Sequence, residues 1–176
     1  MANEITLRDV RDDDLPVFFE QQLDPEANYM AAFTSRDPTD RDAFMTHWAR
    51  IRADETTVNQ TVLCDGQVAG SVARFEDFGQ PEVTYWLGRE FWGRGIATKA
   101  LAAFLASQTT RPIHARAAKD NAASLRVLQK CGFVITGEDK GYANARGQVI
   151  EEYLLTLAAD VGDATDAGNA SDTKEG

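Results

Sequence analysis

A strand that breaks into a glycine turn and reopens as a helix constrains this chain more than any other feature. The stretch is Glu82 to Lys99, EVTYWLGREFWGRGIATK. Val83, Tyr85 and Leu87 alternate with Thr84 and Trp86, the pattern of a strand rich in β-branched and aromatic residues. Gly88 breaks it. Gly93 and Gly95 follow, and behind them Ala97, Leu101, Phe104 and Leu105 fall at helical spacing, with Lys99 on the opposite face. Such a turn is a place for an anion. Glycine lets the backbone come close, the first N–H groups of a helix have no intrahelical partner, and the helix dipole favours negative charge. An ordinary strand-to-helix turn needs glycines too, so the loop alone leaves both readings open.

Phosphate-binding fingerprints narrow the choice. The Gly-Lys-Ser/Thr of a mononucleotide loop is absent. A dinucleotide fingerprint would need a third glycine where Thr98 stands, and would open the first βαβ unit of the chain rather than lie in its middle. The run Trp92-Gly93-Arg94-Gly95-Ile96-Ala97-Thr98 resembles a third pattern, the acetyl-CoA pyrophosphate loop of the GNAT superfamily of N-acetyltransferases, written Gln/Arg-x-x-Gly-x-Gly/Ala. Gly95-Ile96-Ala97 fits its second half, while Trp92 departs from the first slot. The whole run is similar to the branch containing the ribosomal-protein N-terminal (Rim-type) acetyltransferases.

Composition excludes several other classes. The 176 residues, 43% apolar, suffice for one domain with a full core. No apolar run reaches membrane-spanning length, and the first residues, MANEITLRDV, enter a strand pattern without a basic, apolar leader. A cytoplasmic protein with no membrane partner is expected. Cys64 and Cys131 lie in apolar settings and read as reduced, buried thiols. With His47 and His114 the only histidines, no metal site is expected. The net charge is −10, of which −4 lies beyond Leu157. An acidic body argues against nucleic acid and suits a cationic amine.

Taken in order, Ile5 to Arg8 reads as a strand, and Asp12-Asp13-Asp14 before Leu15-Pro16 as an acidic helix start. Asp24-Pro25 stops that helix. Residues 26–37 show no clean period, yet carry Tyr29, Met30 and Phe33. A helix with Phe44, Trp48 and Ile51 on its apolar stripe follows, and His47 beside it reads as a structural hydrogen-bonding residue. Val58 to Cys64 and Val68 to Phe75 form a hairpin around Asp65-Gly66. Residues 78–81 read as a loop before the opening strand. Its helix runs to about Ser107 and ends before Pro112. Ile113 to Ala117 is a short strand, Asn121 an N-cap, and Gly132 the end of the helix it starts. Phe133–Thr136 and Val149–Leu157 pair around residues 144–147. The crossover helix makes the fourth and fifth strands parallel neighbours, and the hairpins are antiparallel. Residues 1–157 therefore read as one α/β domain with a mixed, mostly antiparallel sheet. Residues 158–176, rich in Ala, Asp, Gly, Ser and Thr, read as an acidic, disordered tail.

A second motif joins the first. Asn121-Ala-Ala-Ser124, followed by Gly132-Phe133, resembles the second GNAT block, and the element order is that of the family. The resemblance covers roughly residues 4–157. It implies the acyl-CoA N-acyltransferase fold, with the fourth and fifth strands splayed and helices on both faces of the sheet. It also implies acetyl-CoA as co-substrate, a primary amine as acceptor, and room for a homodimer. The cofactor site it implies comprises Leu87, Gly88, Gly93, Arg94, Gly95, Ile96, Ala97, Thr98, Asn121 and Ser124. Pantetheine amides pair with an exposed strand edge as an added strand would.

Acetyl transfer needs a base for the amine and a proton for the departing thiolate. Glu82, near the start of the fourth strand, is the candidate base. The family often carries the thiolate's tyrosine at the position of Leu128 here, which shifts that role to Ser124, Tyr142 or solvent. Asp24, Tyr29, Phe33 and Tyr142 are the candidate acceptor-binding residues. The alternative function is a non-catalytic acyl-CoA-binding module.

Overall fold

Seven strands alternate apolar and polar residues and pair into one sheet. A computed structural model describes residues 3–159; the expected tail from 160 onward lies outside them. The strands are β1 (Ile5–Asp9), β2 (Val58–Cys64), β3 (Gln67–Asp77), β4 (Gln80–Leu87), β5 (Ile113–Ala118), β6 (Val134–Ala143) and β7 (Gln148–Leu157). Their order is β1-β2-β3-β4-β5-β7-β6. The helices are α1 (Leu15–Gln22), α2 (Pro25–Ala31), α3 (Arg41–Ala53), α4 (Ile96–Ser107) and α5 (Ala122–Lys130). No described helix is long and apolar enough to cross a membrane.

The expected mixed α/β sheet is present, with three local differences. The stretch after Asp24 is not irregular: Asp24 ends α1 and then caps α2, its carboxylate accepting from the Glu26 N–H at 3.0 Å, with Pro25 in the first helical position. Seven residues are too short a helix for a period to show. The loop expected at 78–81 is a two-residue turn, because Phe78 (φ 50°) and Gly79 (φ 75°) both take the left-handed conformation that twists a tight hairpin correctly. Gln80 and Pro81 belong to β4. The sixth strand, expected over 133–136, runs from Val134 to Ala143, while His47, exposed on α3, makes a local hydrogen bond, its Nδ1 pairing with Arg50 Nη2 at 3.4 Å.

Two layers of helices cover the sheet. α4 buries Ile96, Ala100, Leu101, Phe104 and Leu105 in a core shared with Val62, Val72, Ile113, Leu128 of α5 and Leu155. On the opposite face Leu15, Phe18 and Phe19 of α1 pack with Phe44 and Trp48 of α3. Val68 packs with this second layer while its neighbour Ala69 packs with the first, as alternation along a strand requires. β3 and β4 approach very closely at Gly70, where a Cβ would stand 1.9 Å from the Trp86 carbonyl oxygen.

Every neighbouring pair of strands is antiparallel except β4 and β5. Those two share a single paired position, Glu82 opposite His114. β4 stays bonded to β3 from Gln80 to Leu87, and β5 to β7 from Ile113 to Ala118. Each strand therefore follows its outer partner, and a gap opens toward their C-terminal ends.

Asp14 locks the chain entering α1. It is 2% exposed and accepts from both Arg8 guanidinium nitrogens at 2.7 and 2.8 Å, from Thr61 Oγ1 at 2.6 Å and from the Arg11 N–H at 2.8 Å. Burial alone would raise its carboxyl, but the bonds from Arg8, Thr61 and Arg11 outweigh it and hold the group at about 2. This contribution is present above the unfolded-state value near 4 and lost as pH falls through about 2. Asp14→Asn is expected to cost about 3 kcal/mol in urea unfolding at pH 7, because it leaves Arg8 without its partner. The difference from wild type should shrink as the pH is lowered below 4, and an equal difference at pH 7 and pH 2.5 would contradict the assignment.

Candidate active site

The gap between β4 and β5 continues into a cavity of about 750 Å³. Its floor is β4. The Gly88 N–H points toward β3 and donates to the Ala69 carbonyl at 2.9 Å. Backbone groups alternate direction along a strand, so the N–H and C=O groups of Val83, Tyr85 and Leu87 face β5. Beyond the Glu82–His114 pair, β5 no longer meets them. This is a strand edge turned into a cavity rather than into solvent. Trp92, at the slot where a polar residue was expected, bonds this edge itself: its indole N–H donates to the Leu87 carbonyl at 3.0 Å.

The mouth of the cavity is the glycine turn. Gly93 (φ 72°) and Gly95 (φ 74°) are both left-handed, and a Cβ on either would meet nothing within 4 Å. The glycines are thus required by the backbone, and the space above them is open. Gly95 is the N-cap of α4 and offers no side chain to the first N–H groups of the helix. Gly93, Gly95, Ile96, Ala97 and Thr98 all line the cavity. The Arg94 side chain does not: it turns away across the Phe91 ring toward Cys64, leaving only its backbone in the loop. Gly88 also stays outside the lining, covered by Gln21.

The far wall is α5. Asn121 lines the cavity and has both side-chain ends engaged, its Oδ1 capping α5 at the Ser124 N–H (3.1 Å) and its Nδ2 donating to the Met30 carbonyl of α2 (3.2 Å). Ser124 lines the cavity and accepts from the Tyr85 hydroxyl at 3.2 Å. Tyr85 was not singled out from the sequence. Alternation put it on the face of β4 with Val83 and Leu87, but nothing local shows that its ring spans to α5.

On the opposite face of the sheet lies a group of ionised side chains. Glu82 is 6% exposed, and its carboxylate accepts from Arg116 Nε of β5 at 3.2 Å. Arg116 Nη1 also donates to Glu152 at 2.8 Å and to Asp139 at 3.3 Å, and Nη2 lies 3.9 Å from Asp77. Burial pushes the Glu82 carboxyl up to about 7, the Asp77 carboxylate adds to this, and Arg116 opposes it. Glu82 lines a smaller cavity of about 350 Å³, which shares Ala115 and Arg116 with the large one. Arg116 is a second residue that sequence reasoning missed; strand alternation around Ala115 and Ala117 was the available signal.

The four residues expected to bind the acceptor separate in space. Phe33, 40% exposed, lines the large cavity beside Met30. Asp24 is occupied as the α2 cap and as the ion-pair partner of Arg89. The Tyr29 ring lies 3.9 Å beneath the Arg146 guanidinium. Tyr142 is 62% exposed on β6. These three line neither cavity.

Residues 4–134 match the model of the acetyltransferase (GNAT) domain. The chain belongs to the GNAT acetyltransferase family. A curated relative, an uncharacterized N-acetyltransferase p20 of Bacillus licheniformis, is 29% identical over 86 residues, 47% of this chain and 48% of the relative. The chain thus matches about half the length of that relative. Among solved structures of the same fold, Mycobacterium smegmatis RimJ in complex with CoA-disulfide superposes with a TM-score of 0.76, at 23% identity, covering 88% of this chain and 82% of that one. The ribosomal-protein-S5-alanine acetyltransferase of Vibrio fischeri gives 0.68 at 19% identity, covering 92% and 98%. Spermidine N-acetyltransferase of Vibrio cholerae in complex with CoA and spermine gives 0.72 at 18% identity, covering 87% and 95%.

Gly95→Glu should abolish the rise in melting temperature that coenzyme A confers on the wild type, since it puts bulk and negative charge over the uncapped helix end. The left-handed backbone there costs a non-glycine residue about 1–2 kcal/mol, so the variant's own melting temperature should fall modestly. A full coenzyme A shift in Gly95→Glu would show that this loop is not the anion site.

Proposed function

We propose that this chain is an acetyl-CoA-dependent N-acetyltransferase that moves an acetyl group to a primary amine, either a protein N-terminus or a small amine. The observation that carries the reading is the continuity of one cavity. It runs from two left-handed glycines and an uncapped helix end, along the open edge of β4, to Glu152 on the far face of the sheet, and it shares Ala115 and Arg116 with the smaller cavity that Glu82 lines. The residues suit coenzyme A: N–H donors and open space for the pyrophosphate, an unpaired strand edge for the pantetheine amides, and a buried end for the thioester. Asn121 and Ser124 border the pantetheine on the α5 side. Structures of the same fold hold CoA, and one also holds spermine.

Bound acetyl-CoA supplies the thioester; the chain supplies position and proton transfer. The N–H groups of the 93–98 loop and of α4 hold the phosphates. The edge of β4 aligns the thioester, and the Leu87 N–H is the candidate donor to the developing oxyanion. The amine approaches from the side carrying Met30, Phe33, Trp86 and Glu152, and the net negative charge of the chain favours the arrival of an ammonium ion. Glu82 acts as base, directly or through one water past Arg116. A carboxyl at about 7 is well placed for this, half ionised at neutral pH and basic enough to take the proton.

The Arg116–Glu82 pair also favours a second reading, a non-catalytic acyl-CoA-binding module whose carboxylate is held in an ion pair. Incubation with acetyl-CoA and a panel of N-terminal peptides and polyamines, following free thiol, separates the two. Catalysis predicts thiol release that depends on the amine. Acetyl-CoA binding with no release above background across the panel would support the binding module. In the catalytic case kcat/KM should rise through about pH 7 and then level, because only ionised Glu82 accepts a proton. Glu82→Gln should lower kcat about 100-fold and remove that rise while leaving coenzyme A affinity intact. Unchanged turnover would take Glu82 out of the mechanism.

A further inference from the structure

The sulfur that departs from the acyl carbon needs a proton. Leu128, at the position where the family resemblance looks for a phenol, is a buried aliphatic side chain. Tyr142 stands on the surface of β6, outside the cavity. A serine hydroxyl is a very weak acid, so Ser124 alone is a poor source.

A phenol does reach the cavity, from the opposite wall. Tyr85 projects from β4 on the side of Val83 and Leu87, and its hydroxyl donates to Ser124 Oγ of α5 at 3.2 Å. Both residues line the cavity, at the strand edge whose backbone faces the gap. Helical side chains lean toward the helix N-terminus, so a side chain at position 128 covers the turn that carries Ser124. The Tyr85 hydroxyl therefore arrives at the same turn of α5, carried by the strand instead of the helix. Cys131 is the other titratable group beside Tyr85, and its thiol points to the Thr98 carbonyl at 3.6 Å.

We propose that Tyr85 is the proton donor to the leaving thiolate, and that Ser124 is the positioning residue that holds its hydroxyl at the cavity wall. The proposal rests on the acetyltransferase reading above. As the new C–N bond forms, Glu82 takes the proton from the amine nitrogen. As the C–S bond breaks, the electron pair leaves with sulfur, and the Tyr85 O–H gives its proton to it to make the free thiol. The phenolate is reprotonated from water, and Glu82 returns its proton to water, so no further reactant is needed. Burial pushes the Tyr85 phenol up, which keeps it protonated at neutral pH between turnovers.

The test compares two acyl donors. With acetyl-CoA, Tyr85→Phe is expected to lower kcat about 100-fold while leaving coenzyme A affinity and melting temperature near wild type. With S-acetyl-4-nitrothiophenol, whose acidic thiol departs without protonation, Tyr85→Phe should match wild type within about threefold. A side chain that only packs would slow both donors alike. The paired substitution Tyr85→Leu with Leu128→Tyr, which moves the ring from one wall to the other at nearly constant volume, should recover at least a tenth of wild-type turnover. Full activity of Tyr85→Phe with acetyl-CoA, or an equal loss with both donors, would overturn the assignment. Wild-type turnover reads the acetyltransferase activity itself, and the ratio of variant to wild type reads Tyr85, so the two failures are distinct.

Discussion

Two parallel strands that meet at one residue pair govern everything else in this molecule. Glu82 faces His114, and past that point β4 and β5 each follow a different neighbour. A buried sheet with unpaired edges is costly, because each unsatisfied N–H or C=O forfeits its hydrogen bond with water. The chain answers part of the cost itself, when Trp92 donates to the Leu87 carbonyl. In the proposed reading the remaining edge is met by the amides of pantetheine. The Gly93–Gly95 turn and the uncapped start of α4 lie at the open end of the same gap, where a pyrophosphate attached to that pantetheine would fall.

The two faces of the splayed pair carry different chemistry because side chains alternate. Toward α4 and α5 point Val83, Tyr85 and Leu87, an apolar wall with one hydroxyl. On the other face stand the buried Glu82 and Glu152, joined by the more exposed Arg116, which also reaches Asp77 and Asp139. One cation among four carboxylates cannot neutralise them all, and the deeply placed Glu82 is the one pushed toward neutrality. The carboxyl proposed as base and the phenol proposed as acid thus sit on opposite faces of the strand. Tyr85 lines the large cavity and Glu82 the small one, and the two cavities share Ala115 and Arg116 of β5.

Long-range architecture was legible in the sequence because it is written in local signals. Alternation in residues 58–75, the left-handed Asp65-Gly66 turn and the helical spacing behind Gly95 each fix a piece, and the crossover rule makes β4 and β5 parallel. Two glycine-bearing motifs at GNAT spacing carried the family resemblance, and Gly93, Gly95, Asn121 and Ser124 from them line one cavity. The α2 helix escaped because seven residues are too few for periodicity, and because Asp24-Pro25 both ends one helix and starts another. The acceptor side was the least legible. Of the candidate acceptor residues, Asp24 and Tyr29 are paired with Arg89 and Arg146, and strand β6 carries Tyr142 to the surface. Tyr85 and Arg116 matter through partners on other elements, Ser124 and Glu82 with Glu152, and no local pattern records such pairings.

Mapping coenzyme A onto the backbone amides by NMR tests the central claim most directly. Filling the gap between β4 and β5 should shift the amides of Tyr85, Leu87 and residues 93–98 most strongly, with Asn121 and Ser124 on the facing helix also moving. Those of β1, β2 and β6 should stay still. Saturable binding whose largest shifts fall on the outer edge of β6, with residues 85–98 unmoved, would contradict the account.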